Sequence, residues 1–243
     1  MKTALITGGS RGIGAAAAKV FAAAGYNVVI NCVSSANKAE AICQNIRESG
    51  GSAIYCLADV ASTEQVEKMM SKVYTEFGHI DVLINNAGIG RQQLFTDITK
   101  AQWDEMMGVH LGGAFNCTKA VLPDMIRRKS GNIINVSSMW GVTGASCEVH
   151  YSTAKAGLIG FTKALAKEVG PSGIRVNCVA PGVIDTEMNS GLNAGDIAAL
   201  CDETPLGRIG TPEEVARLML FLCSDGAGFI TGQVIGANGG FVI

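Results

Sequence analysis

The sequence predicts an α/β fold, a doubly wound, seven-stranded parallel sheet with helices on both faces. Two patterns carry that prediction. Short β-branched runs alternate with longer helical stretches along the whole chain, and a cluster of glycines stands between the first run and the first helix. Alternation of this kind implies right-handed crossovers, which place every strand parallel and cover the sheet on both sides.

In chain order, TALIT (3–7), NVVIN (27–31), SAIYCL (52–57) and DVLIN (81–85) are rich in Val, Ile and Thr and read as strands. The segments between them, Ile13 to Ala24, Ala36 to Ser49 and Thr63 to Phe77, carry helical periodicity. A helix then starts near Ala101, breaks after Met107 and resumes to about Arg128. NIINVS (132–137) is the fifth strand, a helix follows from about Tyr151 to Val169, and RVNCVA (175–180) is the sixth strand. A helix from Pro212 to Cys223 and a short strand QVIGA (233–237) close the pattern. Gly182 to Gly210 shows no clear periodicity. A long irregular segment after a strand's carboxyl end reads as a substrate lid, set at about 183–210.

At 243 residues the chain fits one domain, 1–243, without internal repeats or low-complexity segments. Hydrophobic residues make up 48% and charged residues 16%, with a net charge of −2, so nothing steers it toward polyanions. No apolar run reaches the roughly 18 residues of a membrane span, and Met1-Lys2 leads into a strand instead of a signal peptide. The expected location is the cytoplasm. The eight cysteines are scattered, with no C-x-x-C pair and no close Cys/His cluster, which argues against a zinc site or disulfide framework.

TGGSRGIG (7–14) lies between the first strand and the first helix. Glycines there permit a tight turn and let the backbone approach a pyrophosphate, which the free N–H groups of the helix start stabilise. Gly8, Gly12 and Gly14 are the spaced set, and Ser10, Arg11 and Ile13 fall in the same cradle. This makes the predicted sheet a Rossmann-type one. An NAD site usually has an acidic residue after the second strand for the ribose 2′-hydroxyl. Here NCVSSANK holds no carboxylate before Glu40, whereas Arg11 can pair with a 2′-phosphate and Ser34 and Ser35 can donate to it. The reading favours NADP over NAD, with Arg11 as a solvated surface charge the plain alternative.

In SSMWGVTGASCEVHYSTAKAG (137–157), Tyr151 and Lys155 are four apart at a helix start and share a face. A nearby ammonium stabilises phenolate and lowers a phenol pKa from roughly 10. Tyr151 can then exchange a proton with a carbonyl or alcohol oxygen that Ser138 holds.

TGGSRGIG, NNAG (85–88), Ser138 with YSTAK (151–155), and APGVIDT (180–186) occur in order at fitting spacings. This set resembles the short-chain dehydrogenase/reductase family over the whole chain. PLGRIGTPEEVARLMLFLCSD (205–225) and ITGQVIGANGG (230–240) look most like its 3-oxoacyl-[acyl-carrier-protein] reductases. The resemblance implies Tyr151 as general acid in ketone reduction, Lys155 lowering its pKa and holding the nicotinamide ribose, and Ser138 orienting the carbonyl. It implies that Asp59, with Val60 beside it, meets the adenine amino group, and that Asn86, Ala87 and Gly88 line the adenine-side ribose. Pro181, Gly182, Ile184 and Thr186 would contact the nicotinamide. The resemblance also implies a homotetramer buried through the 101–128 helix and the Tyr151 helix.

Two features depart from the family's pattern. An asparagine usually interrupts the long helix and holds a water linked to the lysine; HLGGAF puts His110 there. Imidazole can also donate and accept, so His110 is expected either to continue the proton relay or to act as a helix-break spacer. Neighbouring His150 reads as a substrate-pocket or surface residue. RRK (127–129) can supply a basic rim for an acidic carrier, but GPSG (170–173) lacks the further basic residue common in carrier-dependent reductases. WGVTGASCEV (140–149) also resembles reductases of the 5-aminopentanone modification on elongation factor P. Small-ketone or hydroxysteroid reduction, and an NADP-sensing binding protein without turnover, are the other readings. Met139, Trp140 and Met188 are candidates for an apolar pocket or for ordinary packing.

Overall fold

The computed structural model describes residues 1–243. Seven parallel strands, β1 (Thr3–Ile6), β2 (Asn27–Cys32), β3 (Ser52–Leu57), β4 (Val82–Asn85), β5 (Gly131–Val136), β6 (Ile174–Pro181) and β7 (Val234–Ala237), form one sheet in the order β3-β2-β1-β4-β5-β6-β7. β1 and β4 are fully buried along their length, as strands covered on both faces must be. The order of strand addition switches direction between β1 and β4, so a crevice opens beyond their carboxyl ends.

Helices α1 (Gly12–Ala23), α2 (Ala36–Glu48), α3 (Thr63–Phe77), α4 (Lys100–Met107), α5 (Gly113–Arg128), α6 (Met139–Thr143), α7 (Val149–Val169), α8 (Ala194–Glu203) and α9 (Pro212–Cys223) make the two outer layers. One core joins Phe21, Ile42, Val215 and Met219 to the sheet, and the other joins Val66, Met69, Val121 and Leu165 to its opposite face. No helix is long and apolar enough to cross a membrane.

The expected strands and long helices form with their ends within two residues of the sequence reading. Two helices lie where none was expected. α8 falls inside the segment read as irregular, because none of its residues is buried and so no apolar periodicity marks it. What starts it is local: the Asn193 side chain accepts from the N–H groups of Gly195 and Asp196, and Asp196 returns a bond to Asn193 N–H. α6 has five residues, too few for a period, and is capped by the Ser138 hydroxyl, which accepts from Trp140 N–H at 3.1 Å.

The break in the long helix is a π turn, Gly108–Gly112, between α4 and α5. Wide turns of this kind insert a residue into a helix and are frequent at functional sites. At the amino ends of the strands, Asp81 accepts from Thr3 N–H at 2.7 Å and from Arg128 Nη1 at 2.9 Å, and Arg128 Nε reaches Asp124 at 2.8 Å. Burial opposes ionisation of Asp124, but bonds from Arg128 and Arg127 overcome it and hold its pKa below the ordinary value.

Candidate active site

The carboxyl end of β5 delivers Ser138, and the first turn of α7 delivers Tyr151 with Lys155 one turn on. All three line one cavity of about 460 Å³. Lys155 is buried, and its ammonium donates to Val136 O at 2.8 Å while lying 5.5 Å from the centroid of the Tyr151 ring. Burial lowers its pKa from the ordinary lysine value to about 8. Burial also pushes the Tyr151 phenol up to about 12, a rise that the Ser138 hydroxyl opposes. That corrects one expectation. Desolvation by burial outweighs the other influences on the phenol, and its pKa lies above the ordinary value, not below it.

His110 sits in the π turn, 2% exposed, with its ring edge-on to Tyr151 at 5.5 Å between centroids. Its Nε2 lies 2.9 Å from Ile89 O and 3.2 Å from Ile89 N, so one ring nitrogen is spent on the loop after β4. Nδ1 is buried without a partner. Burial, then the Lys155 charge, lower its pKa to about 3, and the ring is neutral. Gly88 makes room for it: a Cβ there would come within 2.5 Å of His110 Cε1. His150 needs correcting. It is neither on the surface nor in the cavity lining; its side chain is fully buried, both nitrogens lack partners, and burial with the charge of Arg91 lowers its pKa.

The glycine turn is built for close backbone approach. Gly8 adopts φ +62°, and a Cβ on it would lie 2.8 Å from Ala87 Cα. A Cβ on Gly14 would lie 2.4 Å from Gly8 O. Asn86 ties the turn to β4 by donating to Thr7 O at 2.9 Å and to Gly8 O at 3.1 Å. No side chain caps the start of α1, so its first N–H groups face the crevice. These features fit a dinucleotide's pyrophosphate.

Around the turn, Ser10 is buried and Arg11 is exposed, reaching Glu187 at 3.8 Å. Lys38 reaches the same carboxylate at 2.7 Å. Ser34 is exposed, Ser35 starts α2 without a side-chain capping bond, and Glu40 is occupied by Arg47 at 2.5 Å. Asp59 Oδ1 accepts from Ala61 N–H, and Val60 is buried against Gly113. Ile13, Asn86, Gly88, Pro181, Gly182, Ile184 and Thr186 line the cavity with the Ser/Tyr/Lys set; Gly8, Ser10, Arg11, Gly12, Gly14, Ser34, Asp59, Val60, Ala87 and His110 lie outside its lining.

Met139, Trp140 and Met188 are all in the cavity wall, and Trp140 is held edge-on by Phe241 at 5.6 Å. Arg91, Gln92 and Glu148 also line it, and sequence reading missed them. Glu148 had a signal, standing directly before the helix that carries Tyr151. Its carboxyl accepts from Gln92 Nε2 at 3.3 Å, and burial raises its pKa. Arg127, Arg128 and Lys129 do not border the cavity. They end α5 beside the start of β5, and the carboxylates of Asp124 and Asp81 hold the two arginines.

A family model described as enoyl-(acyl carrier protein) reductase matches residues 8–242. Among curated relatives, the 3-oxoacyl-[acyl-carrier-protein] reductase FabG of Chlamydia trachomatis is 44% identical over 98% of this chain and 96% of its own. The 3-oxoacyl-[acyl-carrier-protein] reductase of Synechocystis is 44% identical over 100% of this chain and 97% of its own. The Staphylococcus aureus FabG is 42% identical over 98% and 97%. Full-length similarity at this level, on a Rossmann-like sheet with Ser138, Tyr151 and Lys155 around one cavity, shows that the chain belongs to the short-chain dehydrogenase/reductase family, oxidoreductases that interconvert C=O and CH–OH groups.

Proposed function

We propose that the protein reduces 3-oxoacyl groups carried on acyl carrier protein to 3-hydroxyacyl groups, using NADPH. The convergence of Ser138, Tyr151 and Lys155 on a cavity that Ile13 of the glycine turn also lines carries this reading, and the names of the relatives supply the substrate. When bound, NADPH supplies a hydride to the carbonyl carbon. Ser138 Oγ donates to the carbonyl oxygen and holds it beside Tyr151, whose Oη gives up its proton as the alcohol forms. As negative charge develops on Tyr151 Oη, the Lys155 ammonium stabilises it. His110, whose neutral ring packs edge-on against Tyr151, is the residue placed to continue the proton relay from Lys155.

Gly8, Ser10, Arg11, Gly12, Ile13 and Gly14 hold the pyrophosphate end, with Arg11 and Ser34 toward the 2′-phosphate. Asp59 and Val60 meet the adenine, Asn86 to Gly88 the ribose, and Pro181, Gly182, Ile184 and Thr186 the nicotinamide. Residues 183–210 act as the substrate lid on a single domain, 1–243. The exposed Phe115 and Ile126 of α5 support burial of that helix in a cytoplasmic homotetramer. Light scattering that gives a monomer near 25 kDa overturns the tetramer.

The test of function is NADPH oxidation with a 3-oxoacyl thioester, alongside free ketones and a ketone-modified protein. Failure to bind NADPH, or no oxidation with the thioester, overturns the reading. One observation favours a second reading. Glu148 puts a carboxylate in the cavity wall, which suits a ketone bearing an ammonium group, such as the 5-aminopentanone modification on elongation factor P. Turnover of that substrate ahead of the thioester, lost in Glu148→Gln, decides for it.

A further inference from the structure

Three charged side chains from separate elements meet over the open end of the crevice. Arg11 precedes α1, Lys38 lies in the first turn of α2, and Glu187 belongs to a short 3₁₀ turn, Glu187–Asn189, just inside the lid. Glu187 Oε1 accepts from Lys38 Nζ at 2.7 Å, and its Oε2 lies 3.8 Å from Arg11 Nη1. The lid backbone is brought there too, since a Cβ on Gly12 would come within 3.3 Å of Thr186 Cγ2. One anionic group thus already sits between two cations that both flank the glycine turn, within a crevice shaped for a dinucleotide.

We infer that Glu187 is a stand-in anion: it latches the lid to Arg11 and Lys38 until the 2′-phosphate of NADP displaces it, so that this phosphate unlatches the lid. The inference rests on the dinucleotide-binding reading given above. A carboxylate brings one charge and two oxygens, whereas a phosphate monoester brings roughly 1.5 to 2 charges and three oxygens to the same cations. The side chains are 54% to 61% exposed, so solvent screens the latch and leaves it exchangeable. A dinucleotide without the 2′-phosphate cannot compete, and discrimination between NADP and NAD then includes the state of the lid. No bond is made or broken; the latch exchanges one ion pair for another.

The probes are adenosine 2′,5′-bisphosphate and 5′-AMP, titrated calorimetrically into wild type, Glu187→Gln and Lys38→Gln, with amide hydrogen exchange followed across Thr186 to Leu192. In wild type the bisphosphate is expected to bind and to speed exchange there, while 5′-AMP leaves exchange unchanged. Glu187→Gln is expected to exchange fast without ligand and to bind the bisphosphate about fivefold tighter, with 5′-AMP affinity unaltered. Lys38→Gln is expected to weaken the bisphosphate alone. Equal or weaker bisphosphate binding by Glu187→Gln, or no change in lid exchange, overturns the latch. If wild type binds neither bisphosphate nor NADPH, the cofactor reading itself fails, and the latch with it.

Discussion

The two ends of the sheet are both crowded with polar groups, but the main cluster at each is built differently. At the amino ends, Asp81, Arg128, Asp124 and Thr3 satisfy one another across β1, β4 and α5. At the carboxyl ends, His110 Nδ1 and both nitrogens of His150 have no partner, Lys155 is pushed down to about 8 and Tyr151 up to about 12. Pairing lowers the energy of a buried charge; burial without pairing shifts its proton affinity instead. The amino end is therefore built to hold the sheet together, and the carboxyl end holds groups whose protons are poised to move.

Substitutions that separate stability from turnover test this division, and the largest effect belongs to the carboxyl end. Tyr151→Phe keeps the ring and removes the proton donor, so turnover should fall by about 10² to 10⁴-fold with the unfolding midpoint nearly unchanged, as steady-state rates and urea melts will show. If activity survives, the phenol is not the acid. Asp81→Ala should do the reverse. It leaves Thr3 N–H unpaired in the core and takes one carboxylate from Arg128, at a cost of about 3 kcal/mol in unfolding free energy, with kcat for the surviving fold unaltered.

His110 tests the comparison through pH. Its folded pKa of about 3 lies below the ordinary 6.5, so below pH 6.5 protons bind the unfolded chain and not the folded one. Stability must then fall as pH drops from 6.5 toward 3. Between pH 6.5 and 5, urea titrations should show wild type losing about 2 kcal/mol more than His110→Asn. His150 contributes equally to both proteins and cancels. His110→Asn should keep substantial turnover, whereas His110→Leu should slow the proton-dependent step without loss of NADPH binding. A Leu variant matching wild type across pH makes the residue a spacer. The smallest effect is expected from Arg127→Ala at the amino end. Its side chain is 78% exposed, and Asp124 keeps Arg128, so the change should be below about 0.5 kcal/mol.

The sheet was legible because strands buried on both faces must be apolar throughout and bounded by turns, as TALIT and DVLIN are. The candidate catalytic set was legible because Tyr151 and Lys155 are local, one helical turn apart. What escaped was built without periodicity or across distance. α8 fully buries none of its residues and is set by a cap, so hydrophobic pattern had little to report. Glu187 meets Lys38 from a position 149 residues away, a pairing that only the folded crevice creates. His150 looked like a residue turned to pocket or solvent, yet the packing of α7 enclosed it. The lowered phenol pKa was read from proximity alone, while burial pushes it up.

The π turn at Gly108–Gly112 has a consequence for length changes in this chain. A wide turn absorbs one surplus residue, so the apolar face of α5 carrying Cys117, Val121 and Met125 stays in phase with the sheet. Deleting Gly112 should therefore close the turn into an ordinary α-helix and leave the core of α5 seated, while swinging His110 off Ile89 and Tyr151. A single-codon deletion would remove the imidazole's presentation and spare the scaffold, which makes this helix break a separable module, gained or lost in one genetic step.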